Sequence, residues 1–449
     1  MACAKHPAPL CSPAEPVVWR SNPKPSMSSL VPRGRQSKLA VLCTLALALL
    51  GRASITPVRA GALNLPPTPV IASEGNGQLT IPARNGGAAG GGAIVRWVGA
   101  GVPEQIAAFD PAGTGGFSPS GGLLQGTDGY WYGSTANGAT ATNGSFNLDG
   151  LLFRLRDNGS DRTVVHQFLG SAGGQGSGPQ GNLVEVTVGG QAWLYGATVR
   201  GGSAGAGTLY RVRPDGTGFA TLRHFEAASS GSGPLGSLAV GGDGFLYGVT
   251  ATGGSAGGGT LFRVRTDGSD FTLLHSFAAA SGISPLAPVT VHAGEVLGST
   301  RLGGSANVGV VYRVTTAGTN FSLIHQFGGG NGDGSKPETP LLRAADGSFY
   351  VATTEGGANN RGALYRLDRG LTDLEAVWNF TATAGSVSKP FGGLVQGADG
   401  AIYGVGQTGG ANGSGGVFRC ACPKRMNQHV GVCLQIGLRI DVFGATDVE

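Results

Sequence analysis

Short hydrophobic runs separated by glycine-rich turns recur along most of the chain. In one copy the runs cover residues 235–240, 245–250, 259–265 and 271–277. Runs of five to seven residues that are rich in Val, Leu, Thr and aromatic side chains, and bounded by Gly or Asp-Gly, predict β-strands rather than helices. We therefore expect four short strands in each copy of the pattern.

The copies form a tandem repeat with a period of 50–58 residues. An arginine recurs at one position of every copy: Arg96, Arg154, Arg211, Arg263, Arg313, Arg366 and Arg419. A Leu-Tyr-Gly-like step precedes it, with its tyrosine at Tyr132, Tyr195, Tyr247, Tyr350 and Tyr403. Seven four-stranded units are typical of an all-β, seven-bladed β-propeller. A β-helix is the competing fold, but it needs much shorter turns.

The pattern divides the chain into a leader (1–60), a propeller (61–419) and a tail (420–449). In the leader, a basic stretch precedes the apolar run 39–50, which predicts a secretory signal peptide; the translation start could also be Met27. The run is short for a membrane span, and none is predicted for the mature chain. We therefore expect an exported protein at the cell surface, in the periplasm or outside the cell.

The tail departs from the repeat. Residues 432–442 alternate strictly between apolar and polar residues, which predicts a half-buried strand. That strand could complete the last blade, or the tail could be foreign to the fold. Cys420 or Cys422 could bridge to Cys433 in an oxidising compartment, and we take Cys422–Cys433 as the candidate pair.

The distribution of charge along the chain restricts the kinds of partner that the protein can bind. The chain has 449 residues, 84 of them glycine, and a formal charge of +5. The leader holds eight basic residues and one acid, so residues 61–449 carry −2 and only three lysines. A nucleic-acid or anionic-membrane partner therefore lacks an electrostatic basis. No nucleophile elbow, Walker loop, His-Glu-x-x-His or dinucleotide fingerprint occurs, so no cofactor or metal is predicted.

Loop lengths predict which face of the propeller carries a site. With strands A to D numbered outward in each blade, tight Asp-Gly turns join A to B and C to D, while longer Gly-Gly loops join B to C. We therefore expect any site on the B–C/D–A face or at the channel mouth. Two loops on that face differ from their counterparts in the other repeats. They either form a ligand site or are insertions that the surface tolerates. They supply the candidates Asn143 and Asp149, in the enlarged loop 137–149, and Asp333, Lys336 and Glu338, which follow Asn331.

Other recurring or paired residues have simpler interpretations. The arginine and tyrosine positions recur in nearly every unit, as packing between blades requires. His166, His275 and His325 share one outer-strand position, where different blades hold them too far apart for a metal site. His292 and Glu295, at the end of one inner strand and the start of the next strand, are the one acid–base pair predicted near the channel. No third catalytic group can be assigned to them.

The motif Asp-Gly-x-Leu-Tyr-Gly-x-Thr … Gly-Gly-x-x-x-x-Gly-x-Leu-Phe-Arg-Val … Leu-His-x-Phe stands most clearly at 243–277 and again at 193–225 and 399–419. With it, the chain resembles the GloVer tandem-repeat family of exported bacterial proteins. The resemblance implies a propeller-type repeat protein, often with a C-terminal anchor, which is not recognisable in this sequence. It carries over no catalytic residues.

These observations favour a non-enzymatic binding module, with a glycan or an extracellular protein as ligand. A polysaccharide-active enzyme, using His292, Glu295, Asp333 and Glu338, is the first alternative. A structural envelope protein is the second. Propellers serve in all three roles, so the fold does not choose between them.

Overall fold

The structure is a computed structural model of the chain. It describes residues 72–73, 78–98, 103–138, 149–170, 174–235, 237–330, 332–383, 386–410, 413 and 415–421. The chain divides into two compact units at residue 56, and every described residue belongs to the second. Seven small antiparallel sheets succeed one another along this unit and form the seven blades of a β-propeller. The predicted fold class is confirmed.

The first three blades contain fourteen strands. Blade 1 is β1 Ala72–Ser73, β2 Gln78–Ala83, β3 Ala93–Val98 and β4 Glu104–Ala108. Blade 2 is β5 Phe117–Pro119, β6 Leu124–Gln125, β7 Trp131–Asn137, β8 Leu151–Leu155 and β9 Thr163–Gln167. Blade 3 is β10 Ser177–Pro179, β11 Val184–Val188, β12 Gln191–Arg200, β13 Thr208–Val212 and β14 Ala220–His224.

The remaining blades follow the same order. Blade 4 is β15 Ala239–Val240, β16 Phe245–Thr250, β17 Thr260–Arg265 and β18 Thr272–Ser276; a 3-10 turn, Ala279–Ser281, follows it. Blade 5 is β19 Thr290–His292, β20 Glu295–Thr300, β21 Val310–Thr315 and β22 Ser322–Gln326. Blade 6 is β23 Gly334–Pro337, β24 Leu342–Arg343, β25 Phe349–Gly356, β26 Ala363–Leu367 and β27 Leu374–Asn379. Blade 7 is β28 Val387–Gln396, β29 Ile402–Gly409 and β30 Gly416–Cys420 within the described residues.

The innermost strand of a blade is broken into two segments. In blades 2, 3 and 6 both segments pair with the same second strand, as β23 and β24 do with β25. In blade 7 the break is an irregularity between Phe391 and Val395 within one strand. The residues between the two halves therefore lie outside the regular ladder.

The hydrophobic core lies between neighbouring blades. One cluster joins Tyr247, Leu261 and Phe277 of blade 4 to Val296 and Tyr312 of blade 5, and all five are fully or almost fully buried. A phenylalanine directly after the outer strand is buried in the same way in six blades: Phe109, Phe168, Phe225, Phe277, Phe327 and Phe380. Since each blade buries its faces only against its neighbours, the ring depends on these repeated aromatic contacts.

One core position on the third strand is Tyr210, Tyr312 and Tyr365 in three blades and Phe in others, and the hydroxyls of Tyr312 and Tyr365 differ in environment. The Tyr312 hydroxyl is buried and has no hydrogen-bond partner among the described residues. The Tyr365 hydroxyl donates to Asp333 Oδ1 at 3.0 Å and accepts from Gly334 N–H at 2.5 Å. Phe262 occupies the same position in blade 4.

Tyr312→Phe is therefore expected to raise the free energy of unfolding by up to about 1 kcal/mol, because it removes an unsatisfied buried polar group. Tyr365→Phe is expected to lower it by about 1–3 kcal/mol, because it removes a hydrogen bond that the hydroxyl donates to a carboxylate. Urea denaturation of both variants measures the difference. Equal losses in both would contradict the assignment of an unsatisfied hydroxyl to Tyr312.

Candidate functional site

A cavity of about 310 Å³ opens at the propeller axis on the B–C/D–A face. Blades 3, 4 and 5 contribute Gln180, Leu235, Leu286 and Arg301, and blades 6 and 7 contribute Lys336, Glu338, Thr354, Glu355, Lys389, Phe391 and Gln407. A concave site where a few polar groups converge beside apolar walls is typical of ligand-binding sites. We call this cavity the channel mouth.

A repeated backbone feature brings inner-strand residues to the channel mouth. A proline stands at the start of the inner strand in six blades: Pro119, Pro179, Pro234, Pro285, Pro337 and Pro390. The residue directly after the proline faces the cavity in five of them, as Gln180, Leu235, Leu286, Glu338 and Phe391. The ends of the second strands supply the other wall residues, such as Arg301.

Two ion pairs lie on the polar side of the channel mouth, one between blades 5 and 6 and one within blade 6. Arg301 Nε of blade 5 donates to Glu338 Oε1 of blade 6 at 2.7 Å, and Lys336 Nζ lies 2.8 Å from Glu355 Oε2. The Glu338 side chain is only 8% exposed, and its second oxygen accepts from the Thr354 hydroxyl at 2.8 Å. The carboxylate of Glu338 is therefore held rigidly, as a binding site requires.

The sequence prediction and the structure overlap at Lys336 and Glu338, which both line the channel mouth. Asp333, which was predicted together with them, does not line the channel mouth. Its carboxylate accepts from Gly328 N–H at 2.7 Å and from the Tyr365 hydroxyl at 3.0 Å, so it braces the D–A loop. The loop residue Asn331 lies outside the described residues.

Sequence reasoning missed the other wall residues, above all Arg301, Lys389 and Phe391. The recurring X-Pro pair at the start of six inner strands was the available signal. A proline that recurs at one position marks a place where the backbone is fixed, and the residues beside it differ from blade to blade.

His292 and Glu295 lie at the opposite end of the blade from the channel mouth. They are paired neighbours on either side of the A–B turn of blade 5. They line a second cavity of about 390 Å³, which is shared by blades 5 and 6 and also contains Arg343 and Asp346. Glu295 is six strand residues from Arg301, or about 20 Å. The suggested grouping of His292 and Glu295 with Glu338 at one channel mouth does not match this geometry.

Two further predictions, the site in loop 137–149 and the Cys422–Cys433 disulfide, fall wholly or partly beyond the described residues. Asn143 lies outside them; Asp149 is described but does not line the channel mouth. Burial raises the pKa of Asp149, and Arg200 opposes that shift. Cys422 and Cys433 are outside the described residues too, whereas Cys420 is disulfide-bonded.

The repeated arginines contact protein atoms in neighbouring turns. Arg154 Nη1 donates to Pro214 O at 3.2 Å and Arg263 Nη1 to Thr316 O at 2.7 Å, each in the next blade. The Arg263 guanidinium also lies over the Phe245 ring, at 4.6 Å from its centroid. Among the repeated tyrosines, Tyr132, Tyr195, Tyr247 and Tyr350 are almost completely buried, and Tyr403 is half-buried. These contacts agree with a role in packing.

Two of the three histidines on the outer strands, His166 and His275, stack against aromatic rings of the next blade. The His166 ring lies 3.8 Å from Phe219 and the His275 ring 3.7 Å from Phe321, both nearly parallel. His325 Nε2 is 3.3 Å from Asp333 Oδ2. Among the described residues, no group of three or more His, Cys, Asp or Glu side chains is placed to hold a metal ion.

These stacked histidines predict a pH dependence of stability. Burial lowers the pKa of both His166 and His275. Below the ordinary histidine pKa of about 6.5 the unfolded chain binds protons that the folded chain does not, so the free energy of unfolding should fall as pH decreases. Denaturation between about pH 7.5 and 5.5 should show a shallower dependence in His275→Gln. An unchanged slope would contradict this prediction.

The comparison with protein families identifies the repeat. The profile of the Gloeobacter/Verrucomicrobia repeat matches residues 138–330 and 237–430, which together are more than half of the chain. The chain belongs to this family. The resemblance noted from the repeat motif is thereby confirmed, and the channel mouth lies in a Gloeobacter/Verrucomicrobia repeat propeller. No curated protein sequence matches the chain.

Solved structures are similar to this repeat protein at the level of the fold. A puromycin-hydrolyzing peptidase of Mycobacterium tuberculosis aligns with a TM-score of 0.51 and 14% identity over 80% of this chain and 52% of its own, so the match spans about half of that protein. The extracellular domain of a one component system from B. thetaiotaomicron gives 0.49 and 11%, over 77% and 38% of the two chains. An oligogalacturonate lyase in complex with manganese gives 0.46 and 12%, over 82% and 92%.

No helix within the described residues has the length and apolar character needed to cross a membrane.

Proposed function

We propose that this protein is an exported binding module that takes a glycan, or the end of a glycan chain, into the channel mouth. The convergence of five blades on one cavity of about 310 Å³ carries the proposal. That volume is at the lower end of the range for small-ligand pockets, about 300–1,000 Å³. Such a cavity accepts a small ligand or a chain end, whereas a folded protein partner needs a broad surface.

The walls of the channel mouth suit a sugar. Phe391, Leu235 and Leu286 are half-buried and offer apolar surface for the face of a sugar ring. Gln180 and Gln407 can donate and accept hydrogen bonds at its hydroxyl groups. Export is supported by the signal-peptide pattern of residues 39–50.

The ion pairs made by the two carboxylates of the channel mouth favour binding over catalysis. Glu338 and Glu355 are each engaged in an ion pair. The described residues that line the cavity include no His, Cys or Ser side chain that could act as a nucleophile or proton carrier beside them.

Retention on a panel of immobilised polysaccharides tests this proposal, with released sugar measured in the same samples. Phe391→Ala should weaken retention about tenfold, equivalent to about 1.4 kcal/mol, because the apolar platform is lost. Phe245→Ala is the matched control, since its ring lies at an A–B turn beneath Arg263 and Arg265. It should retain wild-type binding.

Three outcomes would contradict the proposal. Release of oligosaccharide would establish an enzyme. Retention unaffected by Phe391→Ala would place the site elsewhere on the molecule. A blank panel would move the assignment to a protein ligand or a structural role in the envelope.

A further inference from the structure

One position beside the channel mouth has the same unusual backbone in six blades. It is the residue directly before the inner-strand proline, and its φ is 55–66° in each blade. The six residues are Ser118, Gly178, Gly233, Ser284, Lys336 and Lys389. Each donates its backbone N–H to a carbonyl near the B–C loop of the preceding blade. The left-handed conformation is therefore part of the contact between blades.

Lysine is a poor choice for this conformation. Glycine adopts positive φ without steric cost, whereas a residue with a long side chain rarely does. Only three lysines occur in residues 61–449, and two of them, Lys336 and Lys389, occupy this position in adjacent blades. Both side chains line the channel mouth. Strained backbone retained beside a ligand cavity indicates that the side chain has a role there.

The channel mouth carries one more positive than negative charge. Its cations are Arg301, Lys336 and Lys389, and its anions are Glu338 and Glu355. Arg301 pairs with Glu338 and Lys336 with Glu355. In the part of the chain that the structure describes, no carboxylate lies within 4.0 Å of the Lys389 amino group. The surplus charge is therefore at Lys389, beside the Phe391 platform.

We infer that the glycan bound at the channel mouth is acidic and that Lys389, together with Lys336, holds its carboxylate. This inference rests on the proposed glycan-binding function and specifies the ligand. A lysine ammonium forms charge-assisted hydrogen bonds with a carboxylate. Because an ammonium has three donors, Lys336 can keep Glu355 and still reach a second oxygen of the ligand.

The test compares a short oligouronate with the same compound after reduction of its carboxyl groups to alcohols, titrated into the purified full chain by calorimetry. The wild-type protein should prefer the oligouronate, and added salt should weaken that binding. Lys389→Gly should reduce the affinity at least about tenfold. Its thermal midpoint should stay the same or rise, because glycine relieves the strained backbone.

Ser284→Gly is the matched control. It makes the same backbone change at the same position of blade 5, where φ is 57°, without changing a charge. It should keep wild-type affinity for the oligouronate. Lys336→Gly should also lose affinity, which would show that two blades share the carboxylate.

The possible outcomes distinguish failure of this inference from failure of the proposed glycan-binding function. Equal binding of the reduced compound, or wild-type affinity in Lys389→Gly, would overturn the acidic ligand while leaving glycan binding in place. Preference for a sulfated neutral oligosaccharide over the oligouronate would overturn the carboxylate in favour of a sulfate ester. Failure of every saccharide in the panel to bind would overturn both proposals.

Discussion

Replacing Gly259 by alanine is expected to lower the free energy of unfolding by about 2–5 kcal/mol. Gly259 precedes β17 with φ at +100°, where an L-residue is strained. A Cβ there would collide with the Thr250 carbonyl oxygen and lie 2.8 Å from Pro285 Cδ in the next blade. The same glycine–proline approach recurs around the ring, as at Gly309 with Pro337. The substitution therefore damages a contact that holds adjacent blades together.

Gly257→Ala in the same loop is the control for this prediction. Its φ is +77°, but a Cβ there has no atom within 4 Å. Only the backbone strain of about 1–2 kcal/mol remains. Urea denaturation of both variants separates strain from collision. Equal losses at the two positions would show that close approach between blades contributes little.

Phe277→Ala is expected to lower the free energy of unfolding by about 3–5 kcal/mol, as for other buried aromatic residues. The side chain is fully buried between blades 4 and 5 and packs on the Tyr312 ring at a centroid distance of 5.0 Å. Its removal leaves a cavity at the junction, which the flanking strands cannot close without losing their pairing. Thermal and chemical denaturation measure the loss.

Val240→Ala provides the comparison on the same blade. Val240 is 46% exposed on β15, so its truncation should change the free energy of unfolding by less than about 0.5 kcal/mol. A loss below about 1 kcal/mol for Phe277→Ala would contradict the assignment of the core to the blade junctions.

The strands were predictable because their signals are local. The predicted runs 245–250, 259–265 and 271–277 correspond to β16, β17 and β18 within one residue at each end. The predicted inner strand 235–240 was too long, since regular pairing covers only Ala239–Val240. Positive φ at Gly233 and the following proline interrupt the ladder there. A hydrophobic pattern does not show this interruption.

The candidate site was only partly predictable. The charged D–A loop led to Lys336 and Glu338 because charge is rare in this chain. The partner of Glu338 could not be found from that loop, since Arg301 is 37 residues earlier and belongs to another blade. His292 and Glu295 were correctly paired, but the direction of their strands places them at the far face.

By itself the sequence determined the repeat, the four strands of the first six units, the tight turns on one face and the long loops on the other. These features depend on residues close together in the chain, through strand propensity and the conformational freedom of glycine. Only the tertiary structure decided which side chains meet at the axis. Ring closure brings Gln180 and Gln407 to one cavity, although more than two hundred residues separate them. The closed ring decides which blades place a lysine, a glutamate or a phenylalanine at that cavity. No local interaction along the chain connects these residues.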